Sequence, residues 1–291
     1  MDCIQVAGLC FCLDADLKII AECINYKPFL VKDYDENNLL FKLKINHDLK
    51  CPQDFKKYRY FNEVGSYGII CNQNTYTLIL KTTTNDCFLL SLNLERKIAF
   101  LNFELNNPFT IQVANDFIRF AFIYAAAFHQ TVLLHASCIK QNNQGIAFLG
   151  PSGIGKSTHS SLWLKYISGT ELLNDDQPAV RILKNKVIIF GTPWSGKTVC
   201  YKNIEVELCA LIFLKQNVIN SLTSTDYITT FTHLLSACSL TQSEKKSFEY
   251  ITNTLAIIAM KVKGGVLENK PEKEAVELSC NFFKERWKCI E

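Results

Sequence analysis

A glycine-rich loop near the middle of the 291-residue chain is the feature that most constrains its fold. The loop runs from Gly150 to Thr158 and fits the pattern G-x-x-x-x-G-K-[ST]. It follows the apolar run 145–149, which predicts a buried strand, and precedes the amphipathic run 159–167, which predicts a helix. A strand, a glycine loop and a helix in this order aim backbone N–H groups and the positive end of the helix dipole at one point. The loop is therefore predicted to bind phosphate groups.

The side chains of this loop have distinct expected roles. The ammonium group of Lys156 should neutralise the β- and γ-phosphates of ATP, and the Ser157 hydroxyl should ligate Mg²⁺. ATP and Mg²⁺ are accordingly the predicted cofactors. The residues predicted to contact the nucleotide are Gly150, Ser152, Gly153, Ile154, Gly155, Lys156, Ser157 and Thr158.

Two adjacent carboxylates, Asp175 and Asp176, end the largely apolar run 172–174. An apolar strand that ends in acidic residues is a common place for a carboxylate that holds Mg²⁺ in nucleotide-binding proteins. With two carboxylates, one can contact the metal and the other can accept a proton from an attacking hydroxyl. The alternative is a polar turn before Pro178.

A second segment, 191–198, fits the same pattern but differs in its physical character. Pro193 removes one N–H donor, Trp194 fills the middle of the loop, and the residues that follow favour no helix. We therefore expect this loop to face the transferred phosphate or the acceptor from the other side; the alternative is an ordinary turn with a solvated lysine. The residues in question are Ser195, Gly196 and Lys197.

Two further polar residues lie in strand-like runs of the same half. His135 lies in the apolar run 131–139, and it is either a satisfied core histidine or a polar group near the phosphates. Arg181 lies in the run 179–183, and it is either a further cation on the phosphate side or part of the polar face of a strand.

The chain divides into two predicted parts, residues 1–107 and 108–291. The first is β-rich and expected to be antiparallel, and the segment Asn106-Asn107-Pro108 ends it. A helix is then predicted over 110–129, followed by alternating strands and helices, so the fold class is α/β or α+β with a nucleotide-binding core and C-terminal helices. In the first part, the predicted strands are 39–45, 76–80, 87–92 and 97–101. In the second part, they are 131–139, 145–150, 171–174, 179–183, 186–191 and 208–214, with helices at 156–168, 226–238, 242–260 and 271–288.

Composition excludes several functional classes. The net charge is only +3, so no strongly basic face for nucleic acid is expected. The apolar stretch 120–128 is far shorter than a membrane span. The 13 cysteines are odd in number and irregularly spaced, and most lie beside apolar residues. We therefore expect free thiols and a reduced, cytoplasmic protein.

Together these residues resemble the C-terminal kinase domain of HPr kinase/phosphorylase and the HPr-kinase-related proteins of peptide-modification clusters. The resemblance depends on His135, the loop 150–157 and the Asp175–Asp176 pair, and it covers about 130–200 well. It implies a phosphoenolpyruvate carboxykinase-like fold. It also implies that Asp175 is the general base toward a serine hydroxyl, that Asp176 and Ser157 are Mg²⁺ ligands, and that His135 is the active-site histidine.

The sequence departs from HPr kinase itself in two places. Thr158 follows the loop serine where the kinase/phosphorylases have glutamate, and the 191–198 loop is closer to that of the HPr-kinase-related proteins. The protein HPr is therefore not the expected acceptor.

The function predicted from these residues is transfer of the γ-phosphate of ATP to a hydroxyl of a peptide, a protein or a small molecule. A nucleotide-binding regulatory module without transfer and a carboxykinase-type enzyme are the alternatives. A base directed at a hydroxyl, for which Asp175 is the candidate, distinguishes a kinase from a regulatory module. Homo-oligomer formation is left open, and neither nucleic acid nor membrane is an expected partner.

Overall fold

The computed structural model describes residues 1–52, 57–62, 65–196, 198–239 and 245–284. The chain forms two compact units, each with its own large mixed sheet and helices, so the fold is α+β. Among the described residues, the first unit comprises 1–128 with 245–248, and the second comprises 129–239 with 249–284.

The first unit is built on a nine-stranded sheet with the order β3-β1-β2-β4-β9-β8-β7-β6-β5. The predicted strands β4, β7, β8 and β9 are confirmed. The sheet is mixed rather than antiparallel, because β4 pairs in parallel with both β2 and β9. The elements are β1 (Asp2–Val6), β2 (Leu9–Leu13), α1 (Lys18–Glu22), β3 (Leu30–Val31), β4 (Leu39–Ile45), β5 (Lys57–Asn62), β6 (Gly65–Asn72), β7 (Thr75–Thr82), β8 (Cys87–Asn93), β9 (Ile98–Leu101) and α2 (Pro108–Ala127).

The long helix α2 belongs to the first unit, although we expected it to open the second part. Its N-terminus is capped by Asn107, whose side chain accepts the Thr110 N–H in a capping box, and Pro108 occupies the first turn. Phe117 on its buried face lies 6.2 Å from the Phe103 ring of the same unit. The compact units therefore divide after Phe128 and not after residue 107. In the described ranges, neither α2 nor any other helix is both long and apolar enough to cross a membrane.

Two disulfides lie in the first unit, Cys3–Cys12 and Cys51–Cys87. This corrects the expectation of free thiols for these four cysteines. In the first pair the cause is the strand register, which places Cys3 directly opposite Cys12 in the β1–β2 pair. The register of two strands is a long-range property that cysteine spacing alone does not reveal.

The second unit has a central sheet with the order β10-β14-β15-β16-β12-β11-β13, and β18 adds to β16 on a branch. The helices α3 and α4 and the strands β12 to β16 are confirmed, whereas β17 and β18 were not predicted. The start of the predicted helix 242–260 and the end of the predicted helix 271–288 lie outside the described residues. The elements are β10 (Thr131–Leu133), β11 (Ala136–Gln141), β12 (Gln144–Leu149), α3 (Lys156–Tyr166), β13 (Thr170–Asp176), β14 (Ala179–Leu183), β15 (Lys186–Phe190), β16 (Glu205–Gln216), β17 (Ser221–Ser224), α4 (Tyr227–Ala237), α5 (Lys245–Lys261), β18 (Lys263–Asn269) and α6 (Lys273–Lys284).

Strand directions bring the predicted site residues to one edge of this sheet. Strand β11 pairs antiparallel with β12 on one side and with β13 on the other, so β12 and β13 run in the same direction. At the beginning of β11, Ala136 lies opposite Leu149, the last residue of β12, and opposite Asp176, the last residue of β13. Because neighbouring strands are about 4.8 Å apart, the glycine loop and the aspartate pair begin within roughly 10 Å of each other.

Candidate functional site

The loop between β12 and α3 has an open inner side. Gly150, Gly153 and Gly155 have φ angles of 145°, 79° and 109°, a backbone conformation that glycine adopts without strain. A Cβ atom built on Gly153 or Gly155 would meet nothing within 4 Å, so open space lies beside the loop at both positions. Ser157 is exposed in the first turn of α3, whose free N–H groups and dipole favour an anion there. The loop has room and donors for phosphate groups.

The side chain of Lys156 is folded against the loop. Its Nζ donates to the carbonyl oxygens of Gly150 at 2.9 Å and Pro151 at 3.1 Å. Burial lowers the pKa of Lys156, and the negative charges of Asp176 and, more weakly, Asp175 oppose that effect. The ammonium group therefore lies within the electrostatic field of the aspartate pair.

His135 contacts Asp176 at a break between two strands. The predicted strand 131–139 is interrupted here because Leu134 and His135 donate their N–H groups outside it, to Pro178 and Ala237 at 3.1 and 2.7 Å. The half-exposed imidazole places Nδ1 2.8 Å from Oδ1 of Asp176. His135 is thus beside a carboxylate of the candidate site rather than in the apolar core.

Asp175 has different surroundings from its neighbour. Its side chain is 3% exposed, and its Oδ2 is buried with no hydrogen-bond partner in the described part of the chain. Burial, followed by the charge of Asp175, raises the pKa of the Cys138 thiol. Burial also raises the pKa of Cys200, with a smaller contribution from the same carboxylate. These two thiols have no signal in the sequence, because each lies in a run that is typical of ordinary apolar residues.

The second loop lies directly against the aspartate pair. The Gly196 N–H donates to the Asp175 carbonyl oxygen, and Ser195 pairs with Asp176 in an isolated antiparallel bridge. The Ser195 hydroxyl donates to the carbonyl oxygen of Thr198 at 2.6 Å and lies 3.3 Å from that of Asp175. As predicted, no helix follows this loop over 198–204.

Two predicted residues of this side are placed less closely. Lys197 lies outside the described residues. Arg181 lies in β14, opposite Thr131 of β10 and Ile188 of β15, and burial lowers its pKa. Arg181 is thus a residue of an inner strand of the sheet, and a role for its side chain in binding phosphate stays a prediction.

The residues of this edge fit Mg·ATP in their chemistry. Within the described ranges, no three side chains of His, Cys, Asp and Glu form a metal-binding group. A magnesium ion held with a nucleotide does not need one, because one or two protein oxygens suffice beside phosphate oxygens and water. The Ser157 hydroxyl and the Asp176 carboxylate are oxygens of that kind, and open space lies beside the backbone of the loop.

Comparison with known proteins leaves the family open. No protein-family model matches the chain, and no curated protein matches it. Among solved structures, the Hpr(Ser) kinase/phosphatase from Coxiella burnetii is 15% identical and matches 55% of this chain and 99% of its own, with a TM-score of 0.33. A superposition at this level carries no argument about function, which is therefore argued from the contacts of the site.

Proposed function

We propose that the protein is an ATP-dependent kinase that transfers the γ-phosphate to a hydroxyl group. The observation that carries this proposal is the buried Oδ2 of Asp175, near the end of a strand beside the glycine loop, which has no hydrogen-bond partner among the described residues. A buried carboxylate oxygen without a donor is costly unless a proton, a metal ion or a bound ligand satisfies it. An acceptor hydroxyl satisfies it during transfer.

The nucleotide half of the proposed site consists of the loop and α3. Bound Mg·ATP would supply the phosphoryl group, and the metal would neutralise charge on its oxygens. Backbone N–H groups of 150–158 would bind the phosphates, Lys156 would neutralise them, and Ser157 with Asp176 would hold the metal. The same proposal includes a phosphate-binding core like that of phosphoenolpyruvate carboxykinase.

The acceptor half of the proposed site consists of the ends of β13 and the second loop. Asp175 would accept the proton of the attacking hydroxyl, a serine on a peptide or protein or a hydroxyl of a small molecule. His135 would fix the orientation of the Asp176 carboxylate through its 2.8 Å contact. Ser195, Gly196, Lys197 and Arg181 are the proposed acceptor-side residues.

The test compares two lysines that occupy the same position of two similar loops. Calorimetry with Mg·ATP is performed on the wild type, Lys156→Ala and Lys197→Ala. A charge-assisted contact to phosphate is worth about 1.5–3 kcal/mol, so Lys156→Ala should bind at least about tenfold more weakly. Lys197→Ala should bind Mg·ATP nearly as tightly as the wild type.

The acceptor is then sought with γ-labelled ATP and the products of neighbouring genes. Loss of nucleotide binding in Lys197→Ala but not in Lys156→Ala would show that the nucleotide binds at the second loop, and it would contradict the proposal. A wild type that binds Mg·ATP but labels no acceptor and hydrolyses none would favour the regulatory module instead.

A further inference from the structure

A buried amide connects the acidic strand to the second loop. Asn174 precedes the aspartate pair in β13 and is completely buried. Its Nδ2 lies 3.2 Å from Thr192 Oγ1, 3.2 Å from the Trp194 carbonyl oxygen and 3.4 Å from the Thr192 carbonyl oxygen. Its Oδ1 accepts the N–H of Gln177 at 3.0 Å. Both ends of the amide are therefore satisfied by backbone and side-chain groups around the site.

Thr192 completes the same network from the loop side. Its buried hydroxyl lies 2.7 Å from the Gln177 carbonyl oxygen and 3.1 Å from that of Trp194, and it accepts the Trp194 N–H at 3.2 Å. A hydroxyl has one proton and two lone pairs, and here every one of them has a partner. The network is thus a satisfied polar cluster in a buried setting, which favours one arrangement of the loop.

The position of β13 in the sheet shows what this network does. β13 is the edge strand, so β11 supports it on one side only. On the other side, the second loop provides the pairing that a further strand would give, through the Gly196 N–H and the Ser195–Asp176 bridge. The loop is therefore the second of two backbone neighbours, beside β11, that hold the end of β13 with Asp175.

We propose that Asn174 and Thr192 are positioning residues that fix the second loop against β13 and so hold the Asp175 carboxylate in its catalytic position. This inference rests on the proposed kinase function. The loop that resembles a second phosphate-binding loop is, on this proposal, the wall of the site on the acceptor side. Both residues are fully buried and act, on this proposal, through the position of the loop and not by contact with nucleotide or acceptor.

The test uses Thr192→Val, which keeps the shape of the side chain but removes the hydroxyl, and Thr192→Ser, which keeps the hydroxyl. Water serves as the acceptor, and steady-state hydrolysis of Mg·ATP gives kcat and KM. We expect Thr192→Val to lower kcat about tenfold or more while KM for ATP stays within about twofold. Thr192→Ser should restore most of kcat.

Two further variants keep the test decisive if Thr192→Val folds poorly. In Gly196→Ala, the added Cβ would lie 2.9 Å from the Asp175 carbonyl oxygen. Because Gly196 is exposed, this substitution displaces the loop without altering the side chains of the buried network. The kcat should fall, and KM should stay unchanged. Ser239→Ala is the matched control, because the Ser239 hydroxyl bonds the Gln177 side chain at 2.7 Å and not the loop. It should leave both constants unchanged.

The outcomes separate this inference from the proposed function. Unchanged kcat in both Thr192→Val and Gly196→Ala would overturn the positioning role while the wild type remains an active enzyme. An equal loss in Thr192→Val and Ser239→Ala would also overturn it, because it would indicate a general loss of structure. Failure of the kinase proposal would be visible in the wild type alone, as Mg·ATP binding without any transfer.

Discussion

Asp175 and Asp176 are neighbours in sequence whose environments differ. Asp176 is partly exposed and contacts His135. Its charge opposes the lowering of the Lys156 pKa more strongly than that of Asp175 does. Asp175 is buried beside two thiols and has an oxygen atom without a partner in the described residues. Different environments allow two identical groups to perform different tasks, one as a metal ligand and one as a base.

The first prediction separates these two tasks. Asp175→Asn is nearly isosteric and removes the base, so transfer should slow by about 10²–10⁴-fold, or ~3–5 kcal/mol of barrier. Its Mg·ATP affinity should stay within a few-fold of the wild type. Asp176→Asn should instead raise the Mg²⁺ concentration needed for binding, because a hard cation loses an anionic oxygen. Single-turnover transfer and equilibrium binding, measured on both variants, check this.

Full transfer activity in Asp175→Asn would contradict the base assignment. A raised Mg²⁺ requirement in Asp175→Asn rather than in Asp176→Asn would mean that the two roles are exchanged. His135 contacts Asp176, so a substitution of His135 tests the same exchange. If Asp176 were the base, His135→Gln should change the rate of transfer more than the affinity for Mg·ATP.

At the scale of elements, α3 is attached to the C-terminal helix α6 by a small buried polar cluster. The Ser279 hydroxyl accepts from Trp163 Nε1 at 2.9 Å and lies 3.1 Å from His159 Nε2, while its proton points to the carbonyl oxygens of α6. Nδ1 of His159 has no partner among the described residues. The cluster accommodates the neutral imidazole, and burial lowers the pKa of His159 to about 4.

The second prediction follows from that pKa. The unfolded chain binds a proton at His159 near pH 6.5, whereas the folded chain does so only near pH 4. Stability from this group is therefore complete above pH 6.5 and is lost as the pH falls toward 4, by about 3 kcal/mol. Denaturant unfolding at pH 7, 5.5 and 4 should show a steeper loss in the wild type than in His159→Gln. Equal slopes would contradict the prediction.

Sequence patterns predicted the elements that local signals define. Asn107-Pro108 starts α2 and the glycine loop starts α3, because caps and glycines act over a few residues. Strand β18 was not predicted, because its two adjacent glycines are unfavourable in a strand interior. In the structure a Cβ at Gly265 would lie 2.8 Å from the Phe282 ring of α6, so glycine is present there for close helix–sheet packing.

At the scale of the whole molecule, the described disulfides are confined to one unit, which also contains the free thiols of Cys10 and Cys23. Both disulfides lie in the first unit, and the described cysteines of the second unit, such as Cys138, Cys200 and Cys280, are free. The expectation of a cytoplasmic protein was based on free thiols throughout. The disulfides remove that basis, and localisation stays a prediction.

The third prediction concerns these cross-links. Protein purified without reductant and alkylated in denaturant should show Cys3, Cys12, Cys51 and Cys87 protected, and the remaining described cysteines modified. Reduction should lower the midpoint of thermal unfolding. The Cys51–Cys87 disulfide joins residues 36 positions apart, and closing a loop of that length stabilises the folded state by roughly 2–4 kcal/mol. Peptide mapping by mass spectrometry identifies the pairs. Complete alkylation of all four would restore the expectation of free thiols.

What could be predicted of the site ended where tertiary pairing begins. The glycine loop and the aspartate pair were evident because each is a local pattern on a strand end. The contact of His135 with Asp176 depends on a strand break and on the β11–β13 register, neither of which has a local signal. The Asn174–Thr192 network likewise joins two segments through a sheet edge, and its one trace in the sequence is an amide within an apolar run.

The backbone at Asp176 has a consequence for how this protein can be altered. Its φ of 153° lies in a region that side-chain-bearing residues rarely adopt and that costs on the order of 1–3 kcal/mol. Glycine would relieve that cost but remove the carboxylate from both His135 and the loop. Selection for stability and selection for activity therefore oppose each other at this position. A screen for thermal stability alone should enrich Asp176→Gly, and the enriched variant should have lost activity.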